Sequence, residues 1–233
     1  AQHRSAPTAR PGTARPWIPP PGSVTPCSLG LQPARLLLFD LGGVVIEFSG
    51  PRELVGLVDP PLTEAEIRSR WGTDPDVSAF ERGDIDAATF ARRFCEHWRL
   101  PLAPEAFLDR FRGWSKRWLP GAIELLTTLR ASYRLACLSN SNPLHWERNL
   151  GVHRIQDHFE ACLASHELRA LKPEAEIFAA AVARLGVAID AITFLDDSPA
   201  NVTGARAAGL EAHLVEGPEG TRRRLQSLGL WPT

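Results

Sequence analysis

The chain has 233 residues, enough for one ordinary domain or for a core domain with a small insert. Hydrophobic residues make up 44% and charged residues 23% of it, which is typical of a soluble globular protein, and no apolar run approaches the roughly 18 residues that cross a bilayer. The net charge is -1, but the first 39 residues hold four arginines and no acidic residue. Residues 40–233 therefore have 22 basic and 27 acidic side chains, and this net charge of -5 argues against a nucleic-acid partner.

The first 33 residues are rich in proline. They hold eight prolines among alanine, serine, threonine, glycine and arginine, and too few periodic apolar residues to offset the entropy of ordering. A targeting peptide is the competing interpretation, but prolines break an amphipathic helix and there is no apolar core of a secretory signal. We therefore predict a disordered tail over residues 1–33.

A short apolar run and a long helical region follow this tail. Leu36-Leu37-Leu38-Phe39 is apolar on both faces, as expected of a strand buried in a parallel sheet. Residues 48–118 show no convincing strand, and a parallel connection needs only a dozen or more residues, so we predict a small helical cap over 48–118. The helix-start signals in this region are the capping box of Thr63 with Glu66, and Asp74-Pro75, Asp86 and Pro104.

The rest of the chain alternates apolar runs with helices. One helix is predicted to open at Pro173 and end at Gly186, and another has Ser198 as its cap, Pro199 as its first residue and Gly209 at its end. This alternation predicts an α/β, Rossmann-like parallel sheet with helices on both faces, built from residues 34–47 and 119–233. The later strands are predicted at 135–138, 162–164, 192–195 and 212–215.

The four cysteines lie far apart and form no C-x-x-C pair. Neither a zinc site nor a compact disulfide framework is indicated. The cysteines fit a reducing compartment, so we expect a cytoplasmic protein with no membrane partner.

Polar residues follow three of the predicted strands. Asp40, Ser139 and the pair Asp196-Asp197 each come directly after a buried apolar run. Because ligands bind outside the carboxyl ends of the strands in an open α/β sheet, these side chains are expected to converge in one cleft. Taken alone, an aspartate such as Asp40 is more often a turn or capping residue than a catalytic one.

Three features, two of them at these strand ends and one at a predicted helix start, suggest phosphate chemistry. The hydroxyl and backbone N-H groups of Ser139-Asn140 suit an anionic oxygen, although the same residues make an ordinary Asx-type turn. Lys172 precedes Pro173 at a predicted helix start, where the helix dipole disfavours a cation by up to about 1 kcal/mol unless an anion lies nearby. The adjacent carboxylates Asp196-Asp197 need a neutralising proton or cation, most simply Mg²⁺. Together with an Asp40 nucleophile, they describe phosphoryl transfer.

The ordered set of these motifs resembles the haloacid dehalogenase superfamily over about residues 34–217. Residues 80–85, Phe-Glu-Arg-Gly-Asp-Ile, also resemble the helical cap of its cap-bearing phosphatases. The matching segments are Asp40-Leu41-Gly42-Gly43-Val44-Val45, Leu138-Ser139-Asn140, Lys172-Pro173 with Ile177-Phe178, and Leu195-Asp196-Asp197-Ser198 with Asn201-Val202.

This resemblance implies an Mg²⁺-dependent phosphatase that forms an aspartyl-phosphate. Asp40 is then the nucleophile and a metal ligand, and Lys172 neutralises charge on the phosphoryl group and on Asp40. Ser139, with a catalytic role, and the N-H of Asn140 hold phosphate oxygens. Asp197 and the backbone carbonyl of Gly42 would bind the metal, and Asp196 would support the metal site. Gly42 and Gly43, which lack side chains, would let the substrate approach.

One position departs from the family pattern. Most phosphatases of the superfamily carry an acid-base aspartate two residues after the nucleophile, where this chain has Gly42. Similar starts occur in a branch that resembles glucose-1-phosphate phosphatases. General acid-base help is commonly worth about 10²–10⁴-fold, so we expect either a preference for good leaving groups or a carboxyl borrowed from Glu47 or Asp196.

The sequence thus favours a phosphomonoester hydrolase acting on a small phosphorylated metabolite, such as a sugar phosphate, with Mg²⁺ as cofactor. Two alternatives remain open. A 2-haloacid dehalogenase would use the same Asp40 without a metal, although paired acids at 196 and 197 would repel its carboxylate substrate. The other alternative is a non-catalytic module that binds phosphate but has lost the acid-base aspartate at position 42, where this chain has glycine.

Overall fold

A computed structural model describes residues 35–232 of the chain. The predicted tail over residues 1–33 lies outside the described residues. Within 35–232, no helix combines the length and the apolar character that a membrane span requires.

The strands and helices of this region alternate along much of the chain. In chain order the strands are β1 (Leu36–Phe39), β2 (Ile46–Phe48), β3 (Ser115–Trp118), β4 (Arg134–Ser139), β5 (Ala161–Ala164), β6 (Ile192–Asp196) and β7 (Glu211–Leu214). The α-helices are α1 (Glu64–Trp71), α2 (Pro75–Glu81), α3 (Ala87–His97), α4 (Pro104–Phe111), α5 (Ala122–Arg130), α6 (Pro143–Gly151), α7 (Ser165–Leu168), α8 (Ala175–Leu185), α9 (Pro199–Ala207) and α10 (Gly217–Ser227). Short 3-10 helices lie at Gly50–Leu54, Ile155–Asp157 and Ile189–Ala191.

Five strands form the predicted parallel sheet, in the order β5-β4-β1-β6-β7. Successive side chains of β1 point to opposite faces, because a strand has a period of two. Leu37 and Phe39 pack on one face with residues of α5, α6 and α10, whereas Leu36 and Leu38 pack on the other with residues of α8 and α9. The α/β class, with helices on both faces, is therefore confirmed.

A second, two-stranded sheet corrects one prediction. β3 pairs antiparallel with β2, with Ile46 opposite Trp118 and Phe48 opposite Ser115, so the expectation of no strand in 48–118 is wrong at its end. The β3 sequence, Ser-Lys-Arg-Trp, is polar and short, and its partner lies about seventy residues earlier in the chain. Neither feature gives a local apolar pattern that sequence analysis could use.

Helices α1–α4 enclose a separate aromatic cluster. It includes Trp98 and Trp114, which are buried, and Phe80 and Phe90, whose rings stack with their centroids 4.6 Å apart. The predicted helix starts are confirmed here, and Asp74 caps α2 while its other oxygen accepts a 2.7 Å hydrogen bond from Trp98 Nε1. The bounds of a cap at residues 48 and 118 stay a prediction.

Two helix starts near the sheet differ in detail from their predictions. The helix expected to open at Pro173 begins at Ala175, which leaves Lys172 and Pro173 in the preceding turn. Ser198 precedes α9 as expected, but its side chain forms no capping bond, and its N-H donates instead to Asp196 Oδ1 at 2.8 Å. In both places the residues before the helix form a turn, and at Ser198 the backbone of this turn bonds to Asp196, the last residue of β6.

Candidate active site

The carboxyl ends of β1, β4 and β6 bring the predicted polar residues together. β1 lies between β4 and β6 in the sheet, so Asp40, Ser139 and Asp196 end adjacent strands. The Lys172 ammonium joins two of these strand ends, because it donates hydrogen bonds of 2.7 Å to both Asp40 Oδ1 and Asp196 Oδ2. It donates a third, of 3.0 Å, to the Leu138 carbonyl.

A tight turn after Asp40 shapes the same edge. The N-H groups of Val45 and Ile46 both donate to the Leu41 carbonyl, and Gly43 adopts a φ of 74°. A Cβ atom at Gly43 would overlap the Asp197 carboxylate, so this position requires glycine for the close approach of Asp197 as well as for its backbone. Gly42 has no such requirement, since a Cβ there would meet only Phe48 Cβ, at 3.6 Å.

Three carboxylates surround a single ammonium in this cleft. Oxygens of Asp40, Asp196 and Asp197 all lie within 4.8 Å of one another. The pKa of Asp40 is raised to about 7, chiefly by burial. The charge of Lys172 opposes this rise, and the charges of Asp196 and Asp197 add to it. Desolvation within the cleft, and then the charge of Asp196, raise the pKa of Asp197 to about 6. The site thus carries more negative charge than Lys172 alone balances, and it offers hard oxygen ligands.

Asp196 differs from the other two aspartates in its hydrogen bonds. It is fully buried. Its Oδ1 accepts from the N-H of Ser198 at 2.8 Å and from Asn201 Nδ2 at 3.0 Å, and its Oδ2 accepts from Lys172. Both oxygens are therefore engaged in orienting the lysine and the turn that leads into α9.

The turn after β4 is tied to the same lysine. The Asn140 side chain pairs with the Lys172 backbone, since its Oδ1 accepts from the Lys172 N-H and its Nδ2 donates to the Lys172 carbonyl, both at 2.9 Å. The sequence pointed only to the backbone N-H of Asn140, because this side-chain contact joins residues 32 positions apart and has no local signal. Ser139 lies beside it and is buried.

A cavity of about 870 Å³ opens above these residues. Its floor includes Asp40, Ser139, Asn140, Lys172 and Asp197, and also Gly42 and Gly43. Its opposite wall comes from the helical region and includes Arg52, Arg68, Trp71, Ser78 and Glu81. All the predicted site residues except the buried Asp196 therefore line one cavity, with Asp196 directly beneath it.

Glu81, at the end of α2, is a wall residue on which the charges of the floor residues Lys172 and Asp40 act. Burial raises its pKa to about 7, Lys172 lowers it, and the charge of Asp40 raises it further. Glu81 lies in the segment 80–85 that resembles the family's cap, but that resemblance gave it no role. The charged groups that influence its pKa, Asp40 and Lys172, lie 41 and 91 positions away in the sequence. No local sequence pattern indicates that such distant residues lie close together.

The two carboxyls that the sequence suggested as replacements for an acid at position 42 are both occupied. Glu47 lines the cavity but forms an ion pair with Arg117, whose Nε lies 2.9 Å from Glu47 Oε2. Asp196 has both oxygens bonded, as described above. Neither is free to exchange a proton with a substrate without losing a contact.

His145 also lines the cavity without a chemical role. Its Nε2 lies 2.7 Å from the Phe111 carbonyl and its Nδ1 lies 3.0 Å from Asn142 Nδ2. Burial lowers its pKa to about 4, so the ring is neutral and joins α6 to α4.

Comparison with known proteins gives three kinds of similarity. The model of the haloacid dehalogenase-like hydrolases matches residues 34–209. Hexitol phosphatase B of Escherichia coli (strain K12) is 28% identical over 102 residues, which cover 43% of this chain and 46% of that protein. A probable pseudouridine-5'-phosphatase of Drosophila melanogaster is 30% identical over 148 residues, covering 58% of this chain and 64% of that protein.

Among solved structures, one similar chain is a HAD family enzyme from Bacteroides thetaiotaomicron in complex with magnesium and inorganic phosphate. It is 25% identical, with a TM-score of 0.63, and the match covers 79% of this chain and 95% of that one. The match to the two curated relatives is shorter and spans 46% and 64% of their lengths.

Proposed function

This chain belongs to the haloacid dehalogenase-like hydrolase family, and from that premise we propose that it is an Mg²⁺-dependent phosphomonoester hydrolase working through an aspartyl-phosphate on Asp40. The observation that carries the proposal is the buried pair of Lys172 with Asp40, seated in a cavity whose floor also holds Asp197 and the turn at Ser139. A lysine so placed balances charge as a phosphoryl group approaches the carboxylate.

Asp40 is the nucleophile in this proposal. Its carboxylate lies at the floor of the cavity, while its N-H donates to the Leu195 carbonyl at 2.8 Å, which holds the residue on the sheet. The Lys172 bond to Oδ1 favours the ionised form that attacks phosphorus. Without it, the burial that raises the pKa of Asp40 would favour the unreactive acid.

The donor set fits Mg²⁺. Clustered carboxylate oxygens within 4.8 Å of one another suit a hard cation, and the Gly43 position leaves room for Asp197 to reach this cluster. Asp40, Asp197 and the backbone carbonyl of Gly42 would hold the ion. When bound, it would neutralise negative charge on the transferring phosphoryl group.

Asp196 and Asn140 act as positioning residues in this account. Asp196 holds the Lys172 ammonium, and the Asn140 side chain holds the Lys172 backbone. The hydroxyl of Ser139 and the N-H of Asn140 would bind phosphate oxygens. The two adjacent aspartates therefore have different roles. Asp197 lines the cavity, whereas Asp196 is buried beneath it and holds Lys172.

The helices of residues 48–118 act as a cap over this floor. The cavity wall that they supply carries Arg52, Arg68 and Trp71. Cationic and aromatic side chains suit a small polar metabolite with a phosphoryl group, a sugar phosphate among them. Two relatives are named hexitol phosphatase B and probable pseudouridine-5'-phosphatase, and these names support this substrate class.

Para-nitrophenyl phosphate with and without Mg²⁺ tests the proposal, beside the Asp40→Asn variant. We expect Mg²⁺-dependent phosphate release that Asp40→Asn lowers by a factor on the order of 10⁵, as loss of a catalytic nucleophile does. The variant has nearly the same shape, so circular dichroism should be unchanged.

Two other outcomes would contradict the proposal. Chloride release from 2-chloropropionate without metal, in the absence of phosphatase activity, would indicate a dehalogenase. Binding of inorganic phosphate with no turnover of either substrate would indicate a binding module.

A further inference from the structure

The cavity lacks an obvious proton donor at the position where the family pattern places one. Gly42 has no side chain, Glu47 is paired with Arg117, and the oxygens of Asp196 are bonded within the floor. A phosphate ester with a poor leaving group nevertheless needs a proton on the departing oxygen. Another carboxyl must supply it if such esters are substrates.

Apart from the proposed metal ligand Asp197, two carboxyls that line the cavity form no side-chain hydrogen bond or ion pair among the described residues, Glu81 and the exposed Glu216. Of these two, we consider Glu81, because it is the less exposed and the charges of Asp40 and Lys172 act on it. It ends α2, is half-buried, and lines the cavity opposite Asp40 and Lys172. Within the part of the chain that the structure describes, its carboxyl accepts no hydrogen bond and forms no ion pair; the contact that it makes runs through its backbone.

Glu81 is held at a defined place relative to the floor. Its carbonyl accepts a 2.6 Å hydrogen bond from Ser165 Oγ, and the next residue, Arg82, forms two hydrogen bonds of 2.6 and 2.7 Å with the carboxylate of Glu174. Glu174 also accepts from the N-H of Leu171, the residue before Lys172. The backbone of Glu81 and the turn that carries Lys172 are therefore joined by one short network.

We propose that Glu81 is the general acid and base of the reaction, in place of the side chain that Gly42 lacks. This inference rests on the proposed phosphatase function and names a further catalytic residue for it. In the first step an Asp40 oxygen bonds to phosphorus, the ester P-O bond breaks, and Glu81 transfers its proton to the departing oxygen, so that an alcohol leaves.

The second step returns the proton. The Glu81 carboxylate takes a proton from water as the water oxygen bonds to phosphorus, and the bond from phosphorus to Asp40 breaks with its electron pair returning to Asp40. Inorganic phosphate leaves, and Glu81 is again protonated. Ester and water are thus converted to alcohol and phosphate with no other reactant.

The electrostatics of the cavity agree with this role. Burial and the charge of Asp40 raise the pKa of Glu81 to about 7, against the opposing effect of Lys172, so both its protonated and its ionised form are accessible near neutral pH. The other charged side chains lining the cavity are Glu47, Arg52, Arg68, Asp197 and Glu216.

The test compares leaving groups in Glu81→Gln. We expect kcat/KM for glycerol 2-phosphate to fall by about 10²–10⁴-fold, and kcat/KM for para-nitrophenyl phosphate to fall far less, because nitrophenolate leaves without a proton. Glu47→Gln is the matched control, since it removes a cavity carboxylate that is paired with Arg117, and any loss that it causes should be equal for the two substrates. An equal loss for both substrates in Glu81→Gln, or none, would overturn the proposal.

A pH profile of the unaltered protein gives a test that needs no variant. For glycerol 2-phosphate, kcat/KM should decline above neutral pH as Glu81 loses its proton, whereas kcat/KM for para-nitrophenyl phosphate should not. Identical basic limbs would overturn the role of Glu81. Failure of the unaltered protein to hydrolyse para-nitrophenyl phosphate with Mg²⁺ would instead overturn the proposed function, and this inference with it.

Discussion

The floor and the helical wall of the cavity are built in different ways. On the floor, Lys172, Asp40 and Asp196 are buried and joined by hydrogen bonds of 2.7 Å. On the wall, Arg52 and Arg68 are more than half exposed and form ion pairs with Glu64, which lies beside them in the helical region. A floor whose charges are held in place suits chemistry that depends on preorganised electrostatics, whereas a wall of exposed side chains can change without loss of the fold.

The largest expected effect that follows from this difference is at Lys172. Lys172→Met leaves two buried carboxylates without their cation, so we expect a loss of about 3–5 kcal/mol in the free energy of unfolding. We also expect kcat to fall by about 10³-fold or more, since charge balance at the phosphoryl group is lost. Urea unfolding and steady-state kinetics measure the two effects.

The matched control on the wall is Arg52→Ala. Its side chain is 69% exposed, so the free energy of unfolding should change by no more than about 0.5 kcal/mol. If the two variants were equally stable, the contrast between a preorganised floor and a tolerant wall would be wrong.

An intermediate effect is expected from restoring a carboxyl at position 42. The Gly42 backbone does not need glycine, and a Cβ there makes only an ordinary contact with Phe48. In a Glu81→Gln background, Gly42→Asp should therefore raise kcat/KM for glycerol 2-phosphate by about 10²-fold. Gly42→Asn, of the same size but without an acid, is the control, and an equal gain from both would argue against proton transfer.

The smallest effect concerns the network between wall and floor. The Arg82–Glu174 pair is about one-third exposed, so Arg82→Ala should change the free energy of unfolding by only about 0.2–1 kcal/mol. Because Arg82 adjoins Glu81, kcat/KM for glycerol 2-phosphate should still fall severalfold, with less change for para-nitrophenyl phosphate. Parallel losses for both substrates would mean that Arg82 does not act through Glu81.

The sequence predicted the floor better than the wall, for a physical reason. Asp40, Ser139 and Asp196 each follow a local apolar run, and the geometry of a parallel sheet then requires that such strand ends meet. Helix caps such as Thr63 and Asp86 are also local signals, and they too were predicted.

Contacts between distant residues were the part that could not be predicted. The pairing of β2 with β3, the Asn140 contact with Lys172, and the ion pair of Arg82 with Glu174 each join residues far apart in the chain. None has a period or spacing that a single sequence displays. The last of these contacts involves Arg82, the neighbour of Glu81, and it has no local signal, so the sequence directed attention to Glu47 and Asp196 instead.

The central claim is that Asp40 carries the phosphoryl group, and chemical trapping tests it most directly. The protein is mixed with para-nitrophenyl phosphate and Mg²⁺, quenched, and treated with borohydride, which reduces an acyl phosphate to an alcohol. Mass spectrometry should locate that reduction at Asp40, and only when substrate is present. Continued phosphate release with an unmodified Asp40, or with the modification on another carboxylate, would contradict the account.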